Sequence, residues 1–219
     1  MKALARSLAA ATLMLGASAP AHAAITFTVN LTMGQEATSV PPTTSIGDPR
    51  PIPFGTATFT INDAMTQMAF AATIFNIDIT GTQTPDANDN LVAAHIHVGT
   101  APAATFPVRW GFFGTPDNDN NPDQLVVTPF ATGVGGTFSS IWDLPEGNAG
   151  TTFATNLPDI LAGRAYINFH TVQNGGGEIR GNFAGAIPEP SSWAMILLGF
   201  GLVGASLRFA RKRVPALAG

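Results

Sequence analysis

Between Ile25 and Phe183 the chain sustains almost no helical stripe. It runs in short segments rich in β-branched and aromatic residues, each closed by Gly, Pro, Asn or Asp. Candidate strands are Ile25–Leu31, Gly55–Ile61, Gln67–Ile77, Leu91–Val98, Val108–Phe113, Gln124–Val127, Thr137–Trp142, Ala165–Thr171 and Glu178–Phe183. In the second of these, Thr56, Thr58 and Thr60 alternate with Ala57, Phe59 and Ile61, the period of two that leaves one face dry and one wet. Only Leu157–Leu161, with Asn156 as a cap and Gly163 as a stop, predicts a helical turn. Eight or nine strands with no crossover helix predict an all-β fold, an antiparallel β-sandwich or flattened barrel. Ser39–Pro53 reads as an irregular surface connection, and Gly81–Asn90 and Gly114–Asp123 as polar loops.

The 219 residues are 11% charged, against roughly 25% in ordinary soluble domains, and the apolar excess lies at the two ends. Residues 1–23 have the order of a secretory signal: Lys2 and Arg6, an apolar run from Leu8 to Leu15, then Ala21-His22-Ala23 before a cut by signal peptidase. Residues 191–207 carry no charge and precede Arg208, Arg211, Lys212 and Arg213. This pattern predicts a transmembrane helix whose basic end stays in the cytoplasm. The segment between, residues 24–187, has four arginines, no lysine and 13 carboxylates, a formal charge of −9. Such a field excludes nucleic acid and anionic lipid as partners and leaves metal ions, polycations and neutral glycans. With no cysteine, the domain has neither disulfides nor thiolate ligands.

Pro188-Glu189-Pro190 followed by Ser191-Ser192-Trp193-Ala194-Met195, the glycines 199, 201 and 204 and the basic end closely resembles the PEP-CTERM sorting signal, over residues 188–213. The resemblance implies recognition of the tripeptide by an exosortase. It also implies an inner-membrane-tethered precursor and a final place at the cell surface or outside the cell.

Three histidines remain once the signal is removed. In Leu91–Val98 the row Val92, Ala94, Ile96 and Val98 is apolar and should face the core, which places His95 and His97 on the opposite face. In Ala165–Thr171 the row Ala165, Ile167 and Phe169 leaves Tyr166, Asn168 and His170 outside. Gln173–Gly177 reads as a hairpin connection, so Glu178 and Arg180 should share that outer face. If the two ribbons are neighbours, three imidazoles meet there with a carboxylate and a guanidinium, a donor set suited to copper or zinc. The alternative is a set of side chains bonded to covering loops, with Glu178 and Arg180 as a simple ion pair.

Ala94-His95-Ile96-His97-Val98-Gly99 and Tyr166-Ile167-Asn168-Phe169-His170-Thr171, continuing to Gly176-Gly177-Glu178-Ile179-Arg180-Gly181, look like the two signature blocks of the CHRD domain. The resemblance covers roughly residues 55–183, with Asn182 where Gln is more ordinary and an insertion at Asp86–Asn90. It implies a module common in exported bacterial proteins, and the two end signals around a catalytically plain domain point to a binding or structural component of the cell surface or extracellular matrix, with an extracellular polysaccharide or matrix protein among the open partners. The His-x-His unit alone is also similar to that of copper/zinc superoxide dismutase, but no fourth histidine ligand or bridging site accompanies it, so dismutase activity is not expected.

Asp117, Asp119 and Asp123 place oxygens at alternate positions, as calcium loops do, yet lack the Gly and the bidentate Glu of an EF-hand; a polar turn is the simpler reading. There is no nucleophile elbow, phosphate loop, H-E-x-x-H or recognisable carboxylate pair, so no enzymatic activity is expected.

Overall fold

The alternation in the second strand becomes its two faces. Ala57, Phe59 and Ile61 are buried, while Thr58 and Thr60 meet Thr28 and Thr26 of the neighbouring strand at 2.9 and 3.1 Å. The computed structural model describes residues 23–100, 104–120 and 124–183, with helical residues 197, 199–204 and 208 beyond them. Its strands are β1 (Ile25–Thr32), β2 (Phe54–Ile61), β3 (Gln67–Phe75), β4 (Leu91–Val98), β5 (Val108–Phe113), β6 (Val126–Pro129), β7 (Gly135–Asp143), β8 (Ala165–Thr171) and β9 (Ile179–Asn182). They form one antiparallel sheet in the order β5-β4-β8-β9-β1-β2-β3-β7-β6, so the expected all-β antiparallel architecture is what the chain adopts.

The sheet curls on itself, because its inner face is lined with large rings that must all be removed from water. Trp110 of β5 stacks on Trp142 of β7 at 5.6 Å, Phe70 of β3 meets Phe112 of β5 at 4.7 Å, and Phe138 of β7 meets Phe169 of β8 at 5.3 Å. The two ends of the sheet are thereby folded over a shared core. The two halves join at β1 and β9 through the single registered pair Thr32 and Arg180. Phe183, just after β9, packs against Phe27 and Phe59 on the β1–β2 side and reinforces that junction.

Two details differ from the sequence expectation. Val92 is 44% exposed and not part of the inner row, because the pairing of β4 with β8 shifts register between Leu91 and Ala93. The helix α1 (Phe153–Leu161) begins four residues before the expected turn. Thr152 caps it in a reciprocal box with Thr155, while Asn156 lies inside and donates to Thr151 and Thr152. The signal at 1–23 and the tripeptide Pro188-Glu189-Pro190 lie outside the described residues, apart from Ala23. The span 191–207 does so in most of its length, and no helix among the described residues is long and apolar enough to cross a membrane.

Ser39–Pro53 is not a free surface connection. It is tied to the β8–β9 turn: Val40 N–H donates to Asn174 Oδ1 at 2.8 Å, Thr43 N–H to Gln173 Oε1 at 3.0 Å, and the Arg50 guanidinium forms a buried ion pair with Glu178. Truncating one member of such a pair strands the other charge in the interior. Glu178→Ala should therefore cost about 3–5 kcal/mol in urea unfolding, and the double variant Arg50→Met/Glu178→Leu should recover most of that loss.

The acidic loop is also anchored to the core. Glu146 accepts from the indole of Trp110 and from Asn120 N–H, its main-chain oxygen accepts from Trp142, and Asp119 accepts from Ser140 at 2.6 Å. Burial above all, opposed by the Ser140 hydrogen bond and reinforced by the Glu146 and Asp117 charges, pushes Asp119 up to about 6. The folded state then holds this proton more tightly than the unfolded chain. The group favours folding at acid pH and loses that contribution as pH rises from about 4 through 6. Asp119→Asn should lack this slope, so its stability relative to the parent should improve by about 2–3 kcal/mol between pH 4 and 7.5. A constant difference across that range would show an ordinary carboxylate at this position.

Candidate metal centre

The expected strand neighbours are present. β4 pairs with β8, aligning His95 with Asn168, His97 with Tyr166 and Ala93 with His170. Parity separates the faces as read from the sequence: Ala94, Ile96, Ile167 and Phe169 face the core, and the imidazoles lie on the other side. That other side is not a surface. His95, His97 and His170 are 5, 8 and 7% exposed, because loops cross it and bond to the rings. The expectation of a solvent-facing site is corrected on this point.

Each ring is held by a main-chain oxygen. His95 Nε2 lies 3.1 Å from Thr115 O, His97 Nδ1 2.7 Å from Phe106 O, and His170 Nδ1 3.0 Å from Gly175 O. A carbonyl can only accept, so these three nitrogens carry the protons of neutral imidazoles. The remaining nitrogens, His95 Nδ1, His97 Nε2 and His170 Nε2, are then left with lone pairs, and that of His170 Nε2 faces a second acceptor, Asn168 Oδ1, at 3.0 Å. His95 Nδ1 and His170 Nε2 face each other at 3.1 Å, and the buried His97 Nε2 has no hydrogen-bond partner.

Burial, above all, pulls His95 and His97 down to about 4 and lowers His170 as well, so the rings are uncharged at neutral pH. One nitrogen from each ring lies within 4.8 Å of the others. Some point is then within about 2.8 Å of all three, against the roughly 2.0–2.1 Å of a metal–imidazole bond.

The surrounding residues complete the geometry. The Asn168 amide is 3.0 Å from His170 Nε2. Tyr166, the only tyrosine of the chain, stacks on His97 at 4.5 Å, and the Arg180 guanidinium sits 3.4 Å from the tyrosine ring centre. Arg180 also donates to Ala104 O and Asn182 Oδ1, both at 2.7 Å, whereas Glu178 turns away to Arg50; the expected ion pair between Glu178 and Arg180 does not form. Gly111 lets the turn at Pro116 lie directly beside His95, since a Cβ there would fall 1.8 Å from Pro116 O.

Glu36, which the sequence analysis did not single out, reaches this face from the turn after β1. Burial raises its carboxyl, while Asn168 and the Arg180 charge act in the opposite direction. Its path exists because Gly177 has no side chain: a Cβ would come within 2.3 Å of Glu36 Oε1. The run Gly175-Gly176-Gly177 was the available signal for such a close approach.

Of the three candidate calcium residues, Asp117 and Asp119 are described. Asp117 Oδ1 accepts from Asp119 N–H and Asp119 from Ser140, while Asp123 lies outside the described residues. Among the described residues, the grouping of three or more metal-type ligands is the histidine trio.

Comparison with known families agrees with the two blocks and the tail. The model of the CHRD domain matches residues 27–183, and that of the PEP-CTERM protein-sorting motif matches residues 186–213. No curated protein and no solved structure matches the chain. The tail marks an exported protein sorted by exosortase through a membrane-anchored step to the cell surface. With its imidazole-bearing strands β4 and β8 inside the matched region, the chain belongs to the CHRD domain family and carries a PEP-CTERM sorting motif.

Proposed function

We propose that this exosortase-sorted CHRD protein binds a single transition-metal ion, copper or zinc, through His95 Nδ1, His97 Nε2 and His170 Nε2. The observation that carries the reading is the commitment of each ring's other nitrogen to a main-chain oxygen. That arrangement fixes the tautomer, aims the lone pair and raises ligand basicity, as outer-shell partners of metal-bound histidines do. His97 Nε2 is buried without a partner and the lone pairs of His95 Nδ1 and His170 Nε2 confront each other, which is unfavourable by itself, and a cation removes that cost. Asn168 Oδ1 lies 3.0 Å from His170 Nε2, an acceptor beside a lone pair, and a cation between them removes that conflict. The centre is read as a binding site, and no catalytic role is assigned to it.

Protein secreted from an exporting host should contain stoichiometric copper or zinc, or take it up at micromolar concentration after chelation and dialysis. His97→Ala should weaken uptake at least about a hundredfold, beyond the effect usual for outer-shell changes. Absence of both metals under these conditions would remove the proposal.

A second reading, a binding or structural role at the cell surface, is supported by the sorting motif and by the −9 charge of residues 24–187, which favours neutral or cationic matrix components. Deleting residues 188–219 should move the protein from the cell surface to the periplasm or medium in a fractionation experiment. Unchanged surface retention would count against a role that depends on sorting.

A further inference from the structure

We infer that the centre selects monovalent copper over divalent zinc or copper. The inference rests on the metal reading above and concerns the oxidation state the site is built for.

Charge is the first argument. The ligand group contains three imidazoles and no carboxylate, and imidazole ligates a metal only in its neutral form. The two nearest ionic groups, Glu36 and Arg180, act on each other as opposite charges, so the pocket brings almost no net negative charge to a cation. The cost of taking an ion out of water grows with the square of its charge, roughly fourfold from a monovalent to a divalent ion of similar size. A divalent ion here would be buried among side chains no more than 8% exposed without a counter-charge in its ligand set. A monovalent ion meets a much smaller penalty and keeps the same three donors.

Coordination number is the second argument. Zinc in proteins takes four ligands, completed by a fourth side chain or by water. Here the described residues pack against each ring: Phe106 and Tyr166 stack on the His97 side, the Thr115–Pro116 turn lies against His95, and the Gly175 carbonyl bonds to His170. The nearest further donor is the neutral Asn168 amide. Three nitrogens with one weak neutral oxygen satisfy cuprous copper, whose filled d shell imposes no square-planar geometry. The same set falls short of the tetragonal arrangement that cupric copper prefers.

The test uses the exported full-length protein, stripped with chelator and held without oxygen. Cu(I) affinity is measured by competition with bathocuproine disulfonate, Zn(II) affinity with a chromophoric zinc chelator, and Cu(II) binding by electron paramagnetic resonance. The expected result is a Cu(I) affinity at least about a hundredfold above that for Zn(II), with no stoichiometric tetragonal Cu(II) signal. Glu36→Gln should then weaken Zn(II) more than Cu(I), because a lost negative charge acts in proportion to the charge of the ion. Zn(II) or Cu(II) binding as tight as Cu(I) would overturn the selectivity and leave the metal centre standing. Failure of all three ions to bind would overturn the metal centre, and the selectivity with it.

Discussion

The structure depends on burying both faces of β4 and β8. An ordinary curled sheet has one dry face and one wet one, and the β1–β2–β3 half of this protein follows that rule with its rows of threonine. In the other half, the polar face is roofed by loops, so every polar group beneath must find a partner in protein. Histidine, asparagine, arginine and tyrosine can satisfy that demand because each offers a flat polar edge to a main-chain oxygen. The same demand fixes the orientation of three imidazole rings.

Much of this was legible in the sequence, for a physical reason. The period of two is imposed by the pleat, so Ala94-Ile96 and Ile167-Phe169 identify the inner row, and His95, His97 and His170 fall together on the other. The roof was not legible. The Ser39–Pro53 part of it is made by contacts between residues more than a hundred positions apart, such as Val40 with Asn174 and Arg50 with Glu178, and the part over the rings by irregular loops at Phe106, Thr115 and Gly175, so no periodic pattern encodes it. The same limit explains why Glu36 was missed and why Glu178 was paired with the wrong arginine. Val92 failed for a different reason: one shifted residue in a ladder inverts the face of its neighbour, and periodicity cannot announce the shift.

The roof also explains the division of labour among the polar residues. Arg50 and Glu178 hold the Ser39–Pro53 segment onto the β8–β9 turn, so their role is structural. Tyr166 and Arg180 pack beside His97 and shape its surroundings without offering a ligand. The proposed binding chemistry is left to three rings of one residue type, delivered by two adjacent strands.

The last core residue, Phe183, lies three positions before the segment matched by the sorting motif. Traction on an attached tail would be transmitted to the fold through this one aromatic wedge and then along β9, which lies inside the sheet between β8 and β1 and not at a rim. A strand so placed resists by shear across its ladder to β8, with Thr32 and Arg180 registering it against β1 on the other side. A pull on such a tether would reach His170, one strand away on β8, before His95 and His97 on β4.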